Sequence, residues 1–227
     1  MNRLFALIRH GDYQQRPDTP SALQPYPLTE SGAAEAREQA RRWGDWLDRE
    51  DILLSPEVHC STLLRAWETA QIFMDELADY FPSAPRLTSV SDLCERRLGS
   101  AANLTIGEIE QILARDPRFD APPADWKSNS HYRLPLEGAE SLLEAGARVA
   151  GHLRLCAASE TPGLQLLFGH GAAFRHAAYH LNVIQFDDIR RLSMYHARPV
   201  VLEQNPLSGW RHHSGDWKQR QTTERPD

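Results

Sequence analysis

Two places in the sequence share one pattern. An apolar run ends in a histidine, glycine follows, and the chain then leaves toward a helix. The first is Leu4-Phe5-Ala6-Leu7-Ile8-Arg9-His10-Gly11 and the second is Leu164-Gln165-Leu166-Leu167-Phe168-Gly169-His170-Gly171. In open α/β sheets ligands bind beyond the carboxyl ends of the strands, so both histidines would face one edge. Glycine beside each lets backbone or ligand come close. One such histidine is usually a satisfied core or loop residue; a matched pair points to a site. The chemistry that suits it is phosphoryl transfer. A phosphoryl group in flight spreads negative charge over three oxygens, and catalysis rests on positioning and fixed cations. Arg9 adjoins His10. Arg65 stands near the start of a helix-like stretch, where the helix dipole favours an anion over a cation. Binding phosphate explains that placement better than a solvated surface role does.

The elements that must position these residues follow from periodicity. Arg3–Ile8 and Leu164–Phe168 read as buried strands. A loop dotted with Pro17, Pro20, Pro25 and Pro27 leads to Thr29, placed as a helix N-cap. Ala36, Ala40, Trp43 and Leu47 then mark one apolar helix face, and Leu63, Ala66, Ala70, Phe73 and Leu77 a second. Ile52–Leu54, Val58–Cys60 and Leu87–Val90 are short strand-like pieces. Thr105 and Glu108 form a capping box for a short helix, and residues 116–136 read as an irregular loop. Leu142, Ala145, Val149, Leu153 and Cys156 give a long helix, and Gly171–Leu181 another. Strands are expected near Leu192–Tyr195 and Val200–Glu203, and a polar disordered tail from Gln219. The alternation of strand and helix predicts an α/β fold with a largely parallel sheet.

Composition narrows the function. The chain has 227 residues, 41% of them hydrophobic, enough for a core without disulfides or structural metal. A formal net charge of -6 argues against a nucleic-acid partner, though a local basic pocket can still hold a small anion. Cys60, Cys94 and Cys156 fit no zinc or CxxC spacing and read as reduced thiols. His212 and His213 have nothing nearby resembling a ligand set, so neither metal nor cofactor is expected. No apolar run approaches the ~18–20 residues of a membrane span. The apolar start is too short for a signal peptide, which makes cytoplasmic residence the expectation. Phosphate-loop and dinucleotide glycine patterns are absent.

Taken together, these pieces resemble the histidine phosphatase superfamily, which also contains the cofactor-dependent phosphoglycerate mutases. Arg9-His10-Gly11 resembles its opening motif, and Leu28-Thr29-Glu30-Ser31-Gly32 its first helix start. Ser61 to Ala70 resembles its S-x-L-x-R-A-x-x-T-A segment, here with Leu63 and Leu64 before Arg65. Leu93-Cys94-Glu95 with Gly99 resembles the stretch that bears its acid/base glutamate. Gly138-Ala139-Glu140-Ser141-Leu142 resembles its G-E-S-L helix start with one alanine inserted, and Gly169-His170-Gly171 its second histidine motif.

The resemblance implies a three-layer fold, with a mostly parallel sheet and helices on both faces. It implies His10 as nucleophile, with Arg9, Arg65 and His170 holding the phosphoryl oxygens and Glu95 as proton donor and acceptor. Gly171, Arg16 and Arg96 complete the candidates for contacting substrate. A single domain over 1–218 is expected, carrying a lid or specificity insertion at about 96–136, with 219–227 as tail. The implied activity is hydrolysis of a small phosphorylated metabolite. The alternatives are a mutase, a phosphoprotein or phosphohistidine phosphatase, and a phosphoprotein-binding module. Against the mutase, Asp12–Pro17 does not match the mutases' substrate loop, and 116–136 offers only dispersed Arg118, Lys127, His131 and Arg133. On the other side, Glu95-Arg96-Arg97-Leu98-Gly99 is mutase-like. The expected partner is a small phosphorylated substrate, with no membrane; oligomeric state stays open.

Overall fold

The computed structural model describes residues 2–20, 23–159 and 161–220. Strand β1 (Arg3–Arg9) is the axis of the fold. Phe5 and Leu7 point to one face of it and Ala6 and Ile8 to the other, all four fully buried. This is the near-continuous apolar pattern of a strand covered on both faces.

Around it runs a six-stranded sheet in the order β3-β2-β4-β1-β6-β7. β2 is Glu57–Cys60, β3 Arg86–Ser89 and β4 Gln165–Gly169, and these three run parallel to β1. β6 (Val200–Asn205) and β7 (Gly209–Ser214) close one side as an antiparallel pair. On one face α1 (Glu30–Glu50) and α2 (Leu64–Glu76) pack through Ala36, Ala40, Trp43, Leu47, Ala70 and Phe73. On the other lie α4 (Leu142–Ala158) and α5 (Gly171–His180), through Val149, Leu153, Ala173, Phe174 and Ala177. The architecture is therefore the expected three-layer, mostly parallel α/β fold.

The short α3 (Ile106–Arg115) belongs to a separate small core. There Leu98, Ile109, Leu113, Trp126 and Leu134 are buried together. Residues 116–136 contain no helix or strand, yet Trp126 anchors them, its indole N–H donating to Glu110 at 3.0 Å. Residues 116–136, read as irregular in the sequence, thus share an apolar centre with α3 and Leu98.

Several local expectations need correction. Ile52–Leu54 forms only an isolated bridge from Leu54 to Leu164. Of Leu192–Tyr195, only Leu192–Ser193 is a strand, β5; it follows the one-turn helix α6 (Asp188–Arg191) and pairs with β8 (Lys218–Gln219) in a two-stranded sheet. Gln219 is therefore paired, and the Arg220 N–H donates to the Arg191 carbonyl. The rest of the expected tail, 221–227, lies outside the described residues. β7 was invisible in sequence. Its exposed Arg211, His212 and His213 read as a polar segment, and only backbone pairing with β6 makes it a strand. Among the described residues, no helix is long and apolar enough to cross a membrane.

Candidate active site

The carboxyl ends of β1, β2 and β4 meet at one edge of the sheet. His10 follows β1, Ser61 follows β2, and His170 follows β4. The His10 N–H donates to the Gly169 carbonyl at 3.0 Å, and the Ser61 N–H to the Phe168 carbonyl at 2.8 Å. Neighbouring strands thus lock the three positions together. The His10 and His170 rings stand 5.0 Å apart.

The His10 ring has a defined arrangement. Its Nδ1 lies 2.7 Å from the Gly11 carbonyl oxygen, which can only accept, so Nδ1 carries the proton. Nε2 is left with its lone pair and receives the Arg65 Nε–H at 3.1 Å. Burial holds the His10 pKa well below the ordinary imidazole value, and His170, Arg65 and Arg9 push it further the same way. The ring is therefore neutral at physiological pH, with one unprotonated nitrogen among cations.

Arg65 is wholly buried at the start of α2. Besides His10, its Nη1 donates to the Gln24 carbonyl at 2.9 Å and its Nη2 to His170 Nδ1 at 3.3 Å. Its guanidinium lies 4.4 Å from the centre of the Tyr13 ring. Since Arg65 only donates, His170 Nδ1 accepts, and the His170 proton sits on Nε2. That proton points at Ser61 Oγ, 2.9 Å away, whose hydroxyl in turn donates to Cys94 Sγ at 3.3 Å. Burial, then Arg65 and Arg9, hold the His170 pKa well below the ordinary value as well. Arg9 donates from Nη1 to the Met194 carbonyl at 3.0 Å. Gly171 lets it lie close, since a Cβ there would sit 3.2 Å from Arg9 Cδ.

Backbone economy explains the flanking motif residues. Thr69 Oγ1 accepts the Gly11 N–H at 3.0 Å and donates to the Arg65 carbonyl at 2.7 Å, tying the His10 loop to α2. Glu68 holds the Leu28 N–H at 2.7 Å. Thr29 caps α1 by accepting the Gly32 N–H at 2.9 Å. Gly32 is required because a Cβ would run into the Asp12 carbonyl, which the Thr29 N–H needs.

Glu95 reaches the same edge from the segment after β3. Its Oε2 accepts the Ala172 N–H at the start of α5, at 3.3 Å, and its Oε1 accepts the Arg96 N–H at 3.0 Å. Arg148 of α4 fixes this segment. It donates from Nη1 to the carbonyls of Asp92 (2.6 Å) and Cys94 (3.1 Å), and it pairs with Glu140. Glu140 also accepts the Arg97 N–H at 2.9 Å. The residues around the G-E-S-L match thus act as a clamp on the segment that carries Glu95, while Ser141 and Glu144 cap α4 with a capping box.

The fold of the chain is shared with known enzymes. The family model of the histidine phosphatase superfamily (branch 1) matches residues 5–214. This chain belongs to that superfamily. A solved mycobacterial glucosyl-3-phosphoglycerate phosphatase is 20% identical with a TM-score of 0.64; the match covers 96% of this chain and 97% of that one. A phosphoglycerate mutase from Bacillus anthracis str. Sterne is 16% identical with a TM-score of 0.70, covering 94% and 92%. A protein titled mycobacterial hydrolase 2 is 21% identical with a TM-score of 0.65, covering 98% and 94%. No curated protein matches the chain.

Within this member of the superfamily, the structure brings together His10, Arg9, Arg65, His170, Gly171 and Glu95. Two other candidates stand apart. Arg16 is exposed, its N–H held by the Gln24 side chain at 2.7 Å. Arg96 is buried over the Trp126 ring, 5.8 Å from its centre, and donates to the Trp126 carbonyl at 3.5 Å. It faces the small core of 96–136. Sequence reasoning missed three neighbours of His10 and Arg65. His196 stacks on the His10 ring at 5.8 Å, and Tyr13 meets it edge-on at 5.4 Å. Buried Gln24 presents its carbonyl to Arg65.

Proposed function

We propose that this histidine phosphatase hydrolyses a small phosphomonoester through a phosphohistidine on His10 Nε2. The observation that carries the reading is the His10 tautomer. With Nδ1–H held by Gly11, the unprotonated Nε2 lies where Arg65 and His170 converge. In the first step Nε2 attacks phosphorus, the P–O bond to the leaving group breaks, and protonated Glu95 gives its proton to the departing oxygen. In the second step Glu95 takes a proton from water, whose oxygen attacks phosphorus and breaks the P–N bond. Free phosphate leaves and His10 returns neutral. The donors of Arg9, Arg65 and His170 turn from their present partners to the phosphoryl oxygens, whose charge they match in the transition state.

Glu95→Gln separates the proton donor from the cations. Loss should be about 10²–10⁴-fold for alkyl phosphates, whose leaving oxygen needs a proton, and far smaller for nitrophenyl phosphate in the phosphorylation step. Equal losses in burst-phase rates on the two substrates would mean that Glu95 only positions its neighbours.

Water is the proposed acceptor. A mutase must hold a phosphorylated acid in two orientations, which calls for fixed cations on the substrate carboxylate. The Asp12–Pro17 loop and residues 116–136 offer no matching set of such cations, and Arg96 is buried against Trp126. Phosphate release should therefore exceed 3- to 2-phosphoglycerate interconversion on one preparation, with or without 2,3-bisphosphoglycerate. Interconversion well above release would make the protein a mutase.

A further inference from the structure

The sequence offered no metal-ligand spacing, yet the fold assembles a ligand set away from His10. His152 and Cys156 stand four residues apart on α4 and so share one face. His59 of β2 faces α4, since its neighbours Val58 and Cys60 face the opposite core. Three atoms converge. His59 Nδ1 lies 3.0 Å from His152 Nε2, and Cys156 Sγ lies 3.6 Å and 3.5 Å from those two nitrogens.

Hydrogen bonding accounts poorly for this cluster. His59 Nδ1 carries either one proton or one lone pair. Yet His152 Nε2, Cys156 Sγ and Gln165 Nε2, the last at 3.4 Å, all gather on it. A central ion would use both imidazole lone pairs and the sulfur at once. The spacing fits such an ion. Zinc bonds of ~2.0–2.1 Å to nitrogen and ~2.3 Å to sulfur, at tetrahedral angles, place N and S about 3.6 Å apart and the two nitrogens about 3.3 Å apart. The two N···S separations already match, and the N···N edge needs to open by only a few tenths of an ångström. Each ligand sits on a regular element, which holds such geometry better than a loop does.

We propose that His59, His152 and Cys156 bind a zinc ion on the α4 face of the sheet, as a site separate from the one around His10. The ion enters from the cavity of ≈ 390 Å³ that these three residues line with Glu57, Leu155 and Gln165. Cys156 loses its thiol proton to solvent on binding, both imidazoles coordinate as neutral ligands, and water from the cavity fills the fourth position. The site ties β2 to α4. β2 leads directly into Ser61, whose hydroxyl accepts from His170, so the ion would stiffen one wall of the active site from behind.

Cobalt(II) reports the ligands directly. The full chain, reduced and freed of metal, should bind one Co²⁺ with a thiolate-to-cobalt charge-transfer band and the intense visible bands of a tetrahedral site. Zinc should displace it and raise the melting temperature. Cys156→Ser should abolish the charge-transfer band. His59→Gln, a change at a half-buried position, should weaken binding about tenfold or more. His10→Ala should leave the band intact, which separates this site from the catalytic histidines. Lack of the band in the wild type, its survival in Cys156→Ser, or its loss in His10→Ala would each overturn the proposal. Should Cys156→Ser melt below the assay temperature, His59→Gln decides: unchanged cobalt affinity would reject the site.

Discussion

His10→Ala should lose on the order of 10³-fold or more in kcat/KM, because among the described residues no other group at the sheet edge puts an unprotonated nitrogen in the same place. The variant should still fold. β1, β4 and β6 pair through backbone groups that the substitution leaves alone, and Gly169 keeps its bond from the residue 10 amide. The Gly11 carbonyl loses its donor, a cost of about 1–3 kcal/mol where no water replaces it. Wild-type enzyme quenched during turnover should carry acid-labile phosphate, and the variant none. The pH dependence follows from the same geometry. Burial and three neighbouring charged or ionisable groups hold the His10 pKa well below 6.5, so the attacking nitrogen stays unprotonated as pH falls through 6.5. Nitrogen chemical shifts of labelled histidine should show a neutral Nδ1–H ring for His10 from pH 8 to 5. Protonation near 6.5, or the opposite tautomer, would contradict the assigned hydrogen bonds. Near wild-type turnover in His10→Ala would end the phosphohistidine mechanism.

How much of this was legible in sequence depends on whether the signal was local. β1 and β4 announced themselves as continuous apolar runs and α1, α2 and α4 by periodic burial, and the caps at Thr29 and Thr105 are local hydrogen-bond devices. The Arg-His-Gly and Gly-His-Gly placements followed from strand termini alone. β7 stayed hidden because most of its residues are exposed; its strand character resides in the ladder with β6. Residues 116–136 read correctly as irregular, but not as ordered, since Trp126 is buried by Leu98, Ile109 and Leu113 from distant positions.

The site divides in the same way. His10, Arg65 and His170 carry strong residue-type signals at strand or helix ends. His196 has none, for it sits in the turn before β6 and stacks on His10 only because the Ala197 N–H donates to the Arg9 carbonyl. Arg148 looked like one more charge on an amphipathic helix, and its grip on the Asp92–Cys94 carbonyls depends on how α4 packs. Arg16 and Arg96 lie apart from the other six candidates for a related reason. Proximity in sequence to a motif says nothing about which way a long side chain turns. The His59, His152 and Cys156 cluster had one local trace, the four-residue step on α4, but its third member comes from a strand 93 residues away.

Arg65→Lys should cost about 10²–10³-fold in kcat/KM despite keeping the charge. The guanidinium works in three directions at once. Nε addresses the His10 lone pair, Nη1 the Gln24 carbonyl and Nη2 the His170 ring. In the proposed mechanism the face toward the histidines grips two phosphoryl oxygens, while the Gln24 contact fixes the plane. Lysine offers a point charge on a flexible stem and cannot hold that fork. The Tyr13 ring beneath Arg65 would also lose its planar partner. The loss should appear in the phosphorylation of His10 in a single turnover, ahead of any effect on product release. Arg65→Met removes the cation altogether, and since Arg65 pushes the His10 pKa down, that variant should move it back toward 6.5. The fold should hold well enough for the comparison, because methionine fills much of the space among the buried neighbours, while the uncapped Gln24 carbonyl costs about 1–3 kcal/mol. Arg65→Lys with phosphorylation within a few-fold of wild type would remove the fork from the mechanism. It would leave Arg9 and His170 as the groups that must hold the phosphoryl oxygens.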